Sequence, residues 1–169
     1  MATKHGDDED VSALLDQAKR QFNKGDLQSA LRTLETLLKK KSSDAQPLIL
    51  AATIHERLGD RARAASLFAG AIELTPNLKR EVGFRAASHY LAVGDPDGAL
   101  SALRSLERHV PDDLDLAHSL CSIHRDAGRY PEALPYARTL AARGQTFGNM
   151  LNAGIVLCGL GLFEEAYPP

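Results

Sequence analysis

The sequence predicts an all-α solenoid of antiparallel helix pairs, and three recurrences carry that prediction. Five glycines, Gly25, Gly59, Gly94, Gly128 and Gly161, follow one another at intervals of 34, 35, 34 and 33 residues. Five residues after each stands an alanine: Ala30, Ala64, Ala99, Ala133 and Ala166. Seven residues before each stands a small residue: Ala18, Ala52, Ala87, Cys121 and Gly154. A glycine that ends one helix, with small side chains at fixed distances on either side, encodes a hairpin in which two helices approach closely.

The stretch from Gly59 to Pro76 is the most complete copy. Counting from its glycine, Ala64 is followed by an aromatic, Phe68, then by Ala71 and by a helix-stopping Pro76. This period and this order of small, aromatic and proline residues resemble the tetratricopeptide repeat family. The resemblance covers residues 11–169 and implies a right-handed superhelix. It predicts units at about 11–44, 45–78, 79–113 and 114–146, and an incomplete fifth at 147–169. The departures are local. Ser42 and Gln145 replace the proline, Leu34 and Ala137 the aromatic, and Leu14, Leu48, Gly83, Ala117 and Met150 stand where the family has tryptophan.

In chain order, residues 1–10 carry Asp7, Asp8, Glu9 and Asp10 without apolar periodicity, which predicts a solvated, disordered acidic tail. From Val11 the spacing of Leu14, Leu15, Ala18 and Phe22 predicts a helix that stops at Gly25, and Asp26 can cap the next. That second helix carries Leu27, Ala30, Leu31, Leu34, Leu37 and Leu38 and should finish in Lys39, Lys40 and Lys41, which complement its dipole. Pro47 suits a first helical turn, and Asp60 and Asp95 repeat the capping role. Pro135 should delay or bend its helix. Glu165 to Pro168 echoes Glu132 to Pro135, so the chain is expected to stop inside a helix, as an N-terminal part of a longer protein would.

Composition narrows the function classes. With 44% hydrophobic and 25% charged residues the chain reads as soluble, and a net charge of -2 removes the bulk reason to propose nucleic acid as a partner. No apolar run reaches the roughly 20 residues that span a bilayer. The polar N-terminus and two cysteines set among apolar neighbours point to a reducing, cytoplasmic setting.

Little of the sequence is arranged for chemistry. His118, Cys121 and His124 lie three apart, but Cys121 occupies the small packing position and no fourth ligand follows, so no metal is expected. Gly159 to Gly161 lacks the strand and third glycine of a nucleotide loop, so no cofactor is expected. No carboxylate pair or nucleophile elbow stands out, and no catalytic residue is assigned.

The resemblance implies a concave groove lined by the first helix of each pair. Carried onto this chain, its groove positions include Leu15, Lys19 and Phe22; Ile49, Thr53, Glu56 and Arg57; Phe84, Ser88 and Leu91; His118, Ser122 and Arg125; and Leu151. Leu15, Ile49, Phe84 and Leu151 form an apolar line, and Lys19, Arg57, Arg85 and Arg125 add charge. Members that clamp the C-terminal carboxylate of chaperone peptides have lysine and then asparagine four residues later. Leu15 and Lys19, Ile49 and Thr53, or Phe84 and Ser88 stand there instead, and only Arg85 matches that set. The expected function is a non-catalytic module binding a protein or peptide segment. The alternative is the recruiting repeat domain of a larger glycosyltransferase, sulfotransferase or methyltransferase. Self-association is expected through the apolar C-terminal end, Ile155 to Phe163.

Overall fold

A computed structural model describes residues 3–40 and 44–166, and the described residues form helices and no strand. In chain order these are α1 (Thr3–Asn23), α2 (Leu27–Leu38), α3 (Gln46–Arg57), α4 (Arg61–Ala71), α5 (Lys79–Ala92), α6 (Pro96–Glu107), α7 (Leu114–Asp126), α8 (Tyr130–Arg143), α9 (Phe147–Gly159) and α10 (Phe163–Ala166). Contacts divide them into two compact units, Met1–Asp95 and Pro96–Pro169. The first contains α1 to α5 and the second α6 to α10.

The hairpin turns have one chemistry. All five repeat glycines adopt positive φ, between 70° and 81°, which only glycine enters without strain. Each closes its turn by hydrogen bonding back to the preceding helix, as in Gly59 N–H to the Glu56 carbonyl at 3.1 Å. The aspartate that follows Gly25 and Gly59 then caps the next helix: Asp26 accepts from Ser29 N–H and Asp60 from Arg63 N–H. Asp113 does the same for α7 and Thr146 for α9.

The small-residue frame is where the core lies. Ala18, Ala52, Ala64 and Ala30 have no exposed surface in the first unit, nor do Ala99, Cys121 and Ala133 in the second. Nine and twelve residues after the glycines, Leu34 and Leu37, Phe68 and Ala71, Leu103 and Leu106, and Ala137 and Leu140 are also fully enclosed. In the first unit Leu15, Ala18, Ala30, Leu34, Leu37, Ala51 and Ile54 form one cluster, and in the second Ala117, Cys121, Ala133, Ala137, Leu140, Ala153 and Val156 form another.

Three expectations change. Helix α1 begins at Thr3 rather than Val11, so the backbone of residues 3–10 is helical instead of an unstructured tail. Within that extension Asp10 reaches Lys40 at 3.7 Å. Helix α2 stops at Leu38, with Lys39 as its C-cap, so the lysines follow the helix; Lys41 and Ser42 lie outside the described residues. Pro135 does not delay α8, which starts at Tyr130 and carries the proline inside it. The proline leaves the Pro131 carbonyl without its intrahelical donor, and Pro131 is exposed to solvent. Tyr167, Pro168 and Pro169 lie outside the described residues.

Leucine at Ala64 or Ala99, where nothing is exposed, should lower unfolding free energy by about 1 to 3 kcal/mol through overpacking. Ala92→Leu, at an exposed site, should change it by less than about 0.5 kcal/mol. Urea denaturation of the three variants checks this, and equal losses at all three would contradict the frame.

Candidate functional site

In the first unit α1, α3 and α5 are joined across their neighbouring faces by side chains. Lys19 Nζ donates to Gln46 Oε1 at 2.7 Å, and the Arg57 guanidinium lies 4.2 Å over the Phe22 ring, both between α1 and α3. Between α3 and α5, Glu56 accepts from Arg85 Nη2 and, at 3.1 Å, from His89 Nε2. Arg85 and His89, four residues apart on α5, also share the Phe68 ring: Arg85 lies 4.1 Å from its centroid and His89 stacks on it at 5.8 Å. Phe84 is covered by Arg80 at 4.9 Å. Burial pushes the Glu56 carboxyl up, but the Arg85 hydrogen bond and charge, with His89, outweigh it and hold Glu56 below its ordinary value.

In the second unit the link between α7 and α9 is an amide. Asn152, 2% exposed, accepts from Arg125 Nη1 at 2.6 Å and donates to the His118 carbonyl at 3.2 Å and to Ser122 Oγ at 2.8 Å. The His118 ring meets Asn149 Oδ1 through Nδ1 at 2.8 Å. Arg125 also contacts Asp126 at 2.8 Å. Cys121 is buried beneath this row, and burial pushes its thiol up to about 11, the state of a packing residue and not of a nucleophile. Among the described residues no group of three His, Cys, Asp or Glu side chains is placed to hold a metal ion. No described helix is long and apolar enough to cross a membrane.

The predicted site residues therefore separate by unit. Lys19, Arg57 and Ser88 are exposed, Phe22, Ile49, Thr53, Phe84 and Arg85 are half-buried, and Leu91 is 46% exposed, all in the first unit. The Thr53 hydroxyl is committed to the Ile49 carbonyl at 2.8 Å. Leu15 is a correction. It lies three residues before Ala18 on the same stripe and is buried in the core cluster, so it offers no surface to a partner. In the second unit His118 and Arg125 are half-buried and engaged with α9, while Leu151 is 51% exposed.

Sequence reasoning missed His89, Asn149 and Asn152. A signal existed: Arg85 and Asn152 each lie nine residues before a repeat glycine, and each meets the residue three before the preceding one, Glu56 or Arg125. A polar pair in those two registers of successive repeats marks a link between neighbouring first helices.

A profile of the tetratricopeptide repeat matches residues 15–78 and 84–147. The chain belongs to the tetratricopeptide repeat family. Among curated relatives it is similar to cellulose synthase 2 operon protein C of Komagataeibacter xylinus, with 28% identity over 145 residues. That match takes in 83% of this chain but only 11% of the relative's length. Solved tetratricopeptide structures share the fold. MamA of strain AMB-1 superposes with a TM-score of 0.65 at 19% identity, over 95% of this chain and 88% of that one. A tetratricopeptide repeat protein from Parabacteroides merdae gives 0.62 at 20%, over 94% and 63%. YrrB, described as a tetratricopeptide protein with an unusual peptide-binding site, gives 0.62 at 17%, over 90% and 79%.

Two outcomes are expected of these links. A carboxyl held below its ordinary value stabilises the fold above that value, and the contribution is lost as pH falls through the lowered one. The stability gap between the protein and Glu56→Gln should therefore be open at neutral pH and close in acid below 4.5, read from urea midpoints at each pH. Asn152→Ala should cost about 1 to 3 kcal/mol, because buried partners lose their hydrogen bonds.

Proposed function

We propose that the face of α1, α3 and α5 binds a segment of another protein, without catalysis of its own. The observation that carries this reading is the surface mix in the first unit: Ile49, Phe84 and Leu91 beside fixed guanidinium groups. Arg57 and Arg85 are already stacked on aromatic rings, so little rotamer freedom is lost when they meet a ligand. Lys19 and Arg57 remain exposed. The chemistry suits an extended segment with apolar side chains and carboxylates, bound with on the order of micromolar affinity over a modest area. In the second unit, Ser122, His118, Arg125 and Leu151 offer a smaller face of the same kind. A cytoplasmic location, and a partner that is protein and not nucleic acid, belong to this reading.

One second reading has an observation of its own. The curated relative is far longer than this chain and is named for a cellulose synthase operon, which favours a repeat segment that serves an enzyme's assembly. Self-association also has one, in the exposed Phe147, Met150, Leu151, Ile155 and Phe163 of the second unit. Sedimentation across a concentration series checks it, and a constant monomer mass contradicts it.

The double variant Ile49→Ala, Phe84→Ala should lose at least about tenfold in affinity for a selected peptide ligand, equivalent to 1.4 kcal/mol, with helicity intact. Arg32→Ala, on the exposed side of α2, should leave affinity unchanged. Peptides selected against the wild-type chain provide the probe, and isothermal titration reads it. If the double variant binds as tightly as the wild type and Arg32→Ala does not, the face is misassigned.

A further inference from the structure

The second unit has a cavity of about 540 Å³ along α6, lined by Asp97, Leu100, Ser101, Arg104, Ser105, Arg108 and, from the turn before α8, Arg129. Arg104, Arg108 and Arg129 all line this opening, and its walls include one carboxylate, Asp97. Leu100 alone is apolar among its walls, and it is 3% exposed, so the cavity offers no seat for an apolar helix.

The arginines are held from behind. Arg104 Nη2 lies 3.4 Å from His124 Nε2, and Arg104 and Glu107 both hydrogen-bond Tyr136. The His124 ring, 2% exposed, is itself stacked on Tyr136. An arginine can only donate, so His124 Nε2 accepts and the ring carries its proton on Nδ1. That Nδ1 is buried without a partner. On the other wall Arg129 Nη1 donates to Asp97 Oδ1 at 2.7 Å, while its Nε is buried and has no acceptor. Buried donors without acceptors are uncommon in a relaxed protein, and one of these two, Arg129 Nε, belongs to a residue that lines the cavity. Ser105 Oγ is spent on the Ala102 carbonyl at 2.7 Å, which leaves Ser101 as the hydroxyl donor of the rim.

The geometry points to a binding site for a phosphomonoester group, held by Arg104, Arg108 and Arg129 with Ser101 at the rim. Guanidinium forks match tetrahedral oxyanions two oxygens at a time. A dianion would match the excess of guanidinium over carboxylate groups on these walls, where three arginines stand beside Asp97. This face is distinct from that of the first helices, so the site does not depend on the function proposed above. A phosphorylated side chain of a partner and a free phosphate ester offer the same chemistry.

The test titrates the isotope-labelled chain with O-phosphoserine, with a serine phosphopeptide and with sodium phosphate at low ionic strength, followed by amide shifts. Saturable shifts at Ser101, Ser105 and Arg129, absent at Arg63 and Ser66 of α4, are expected. The Arg104→Gln, Arg108→Gln variant should weaken binding by at least about tenfold, and added salt should weaken it further. Arg129→Lys keeps the charge without the fork and guards against misfolding, and it should weaken binding severalfold. Tighter binding of the phosphopeptide than of O-phosphoserine assigns the source to a protein, and the reverse to a free ester. Absence of saturation in the low millimolar range, equal affinity for acetate, or unchanged affinity in both variants would overturn the site.

Discussion

Close approach of helices through alanine is the constraint on which the rest depends. Ala18 and Ala30, and Cys121 and Ala133, have no exposed surface and share a core cluster within each unit, so small side chains fill the space where the paired helices meet. At that spacing the larger side chains of each helix cannot sit between the pair and must point along its other faces. Leu34, Leu37, Phe68, Leu103 and Leu106 therefore pack toward the core, while the opposite faces of the first helices carry polar and mixed residues. The positive-φ glycines follow from the same constraint, since a three-residue turn between helices so near each other needs a left-handed residue.

Between successive first helices, polar links stand beside the apolar contacts of the core. Glu56 with Arg85 and His89 in one unit, and Arg125 with Asn152 in the other, occupy equivalent registers and use different chemistry for one purpose. Each is satisfied by several partners, which is the condition under which a partly buried charge or amide stabilises instead of costing. These links also fix the guanidinium groups of Arg85 and Arg125, so the side chains that hold the helices together are the ones the proposed binding face would present.

The repeat also leaves grooves on its outer faces. The groove between α2 and α4 is lined by Leu31, Leu34, Leu38, Ala51 and Leu67 and is largely apolar. The cavity beside α6 is the same kind of place with arginine substituted for leucine. A repeat fold tolerates such exchanges because outer residues carry no register information, and so a charged site can arise without disturbing the core.

The helix pairs, their turns and most of the core were legible in the sequence, because a covalent period of about 34 residues places the same small residues and glycines at the same structural points in every copy. Caps at Asp26 and Asp60 were legible for the same reason, being local to one turn. Leu15 was misread as surface because its register matches Ile49 and Phe84. Its burial depends on what packs against α1, and the period of a single chain does not encode that. The extension of α1 to Thr3 escaped because acidic residues without apolar spacing carry no helical signal. Only the tertiary structure brought His89 to Glu56, Asn152 to Arg125 and Arg129 toward Arg104, since these residues lie 20 or more positions apart. The physical reason is that periodicity specifies which face a side chain occupies within its own helix, whereas its partners are decided by the neighbouring helix it happens to meet.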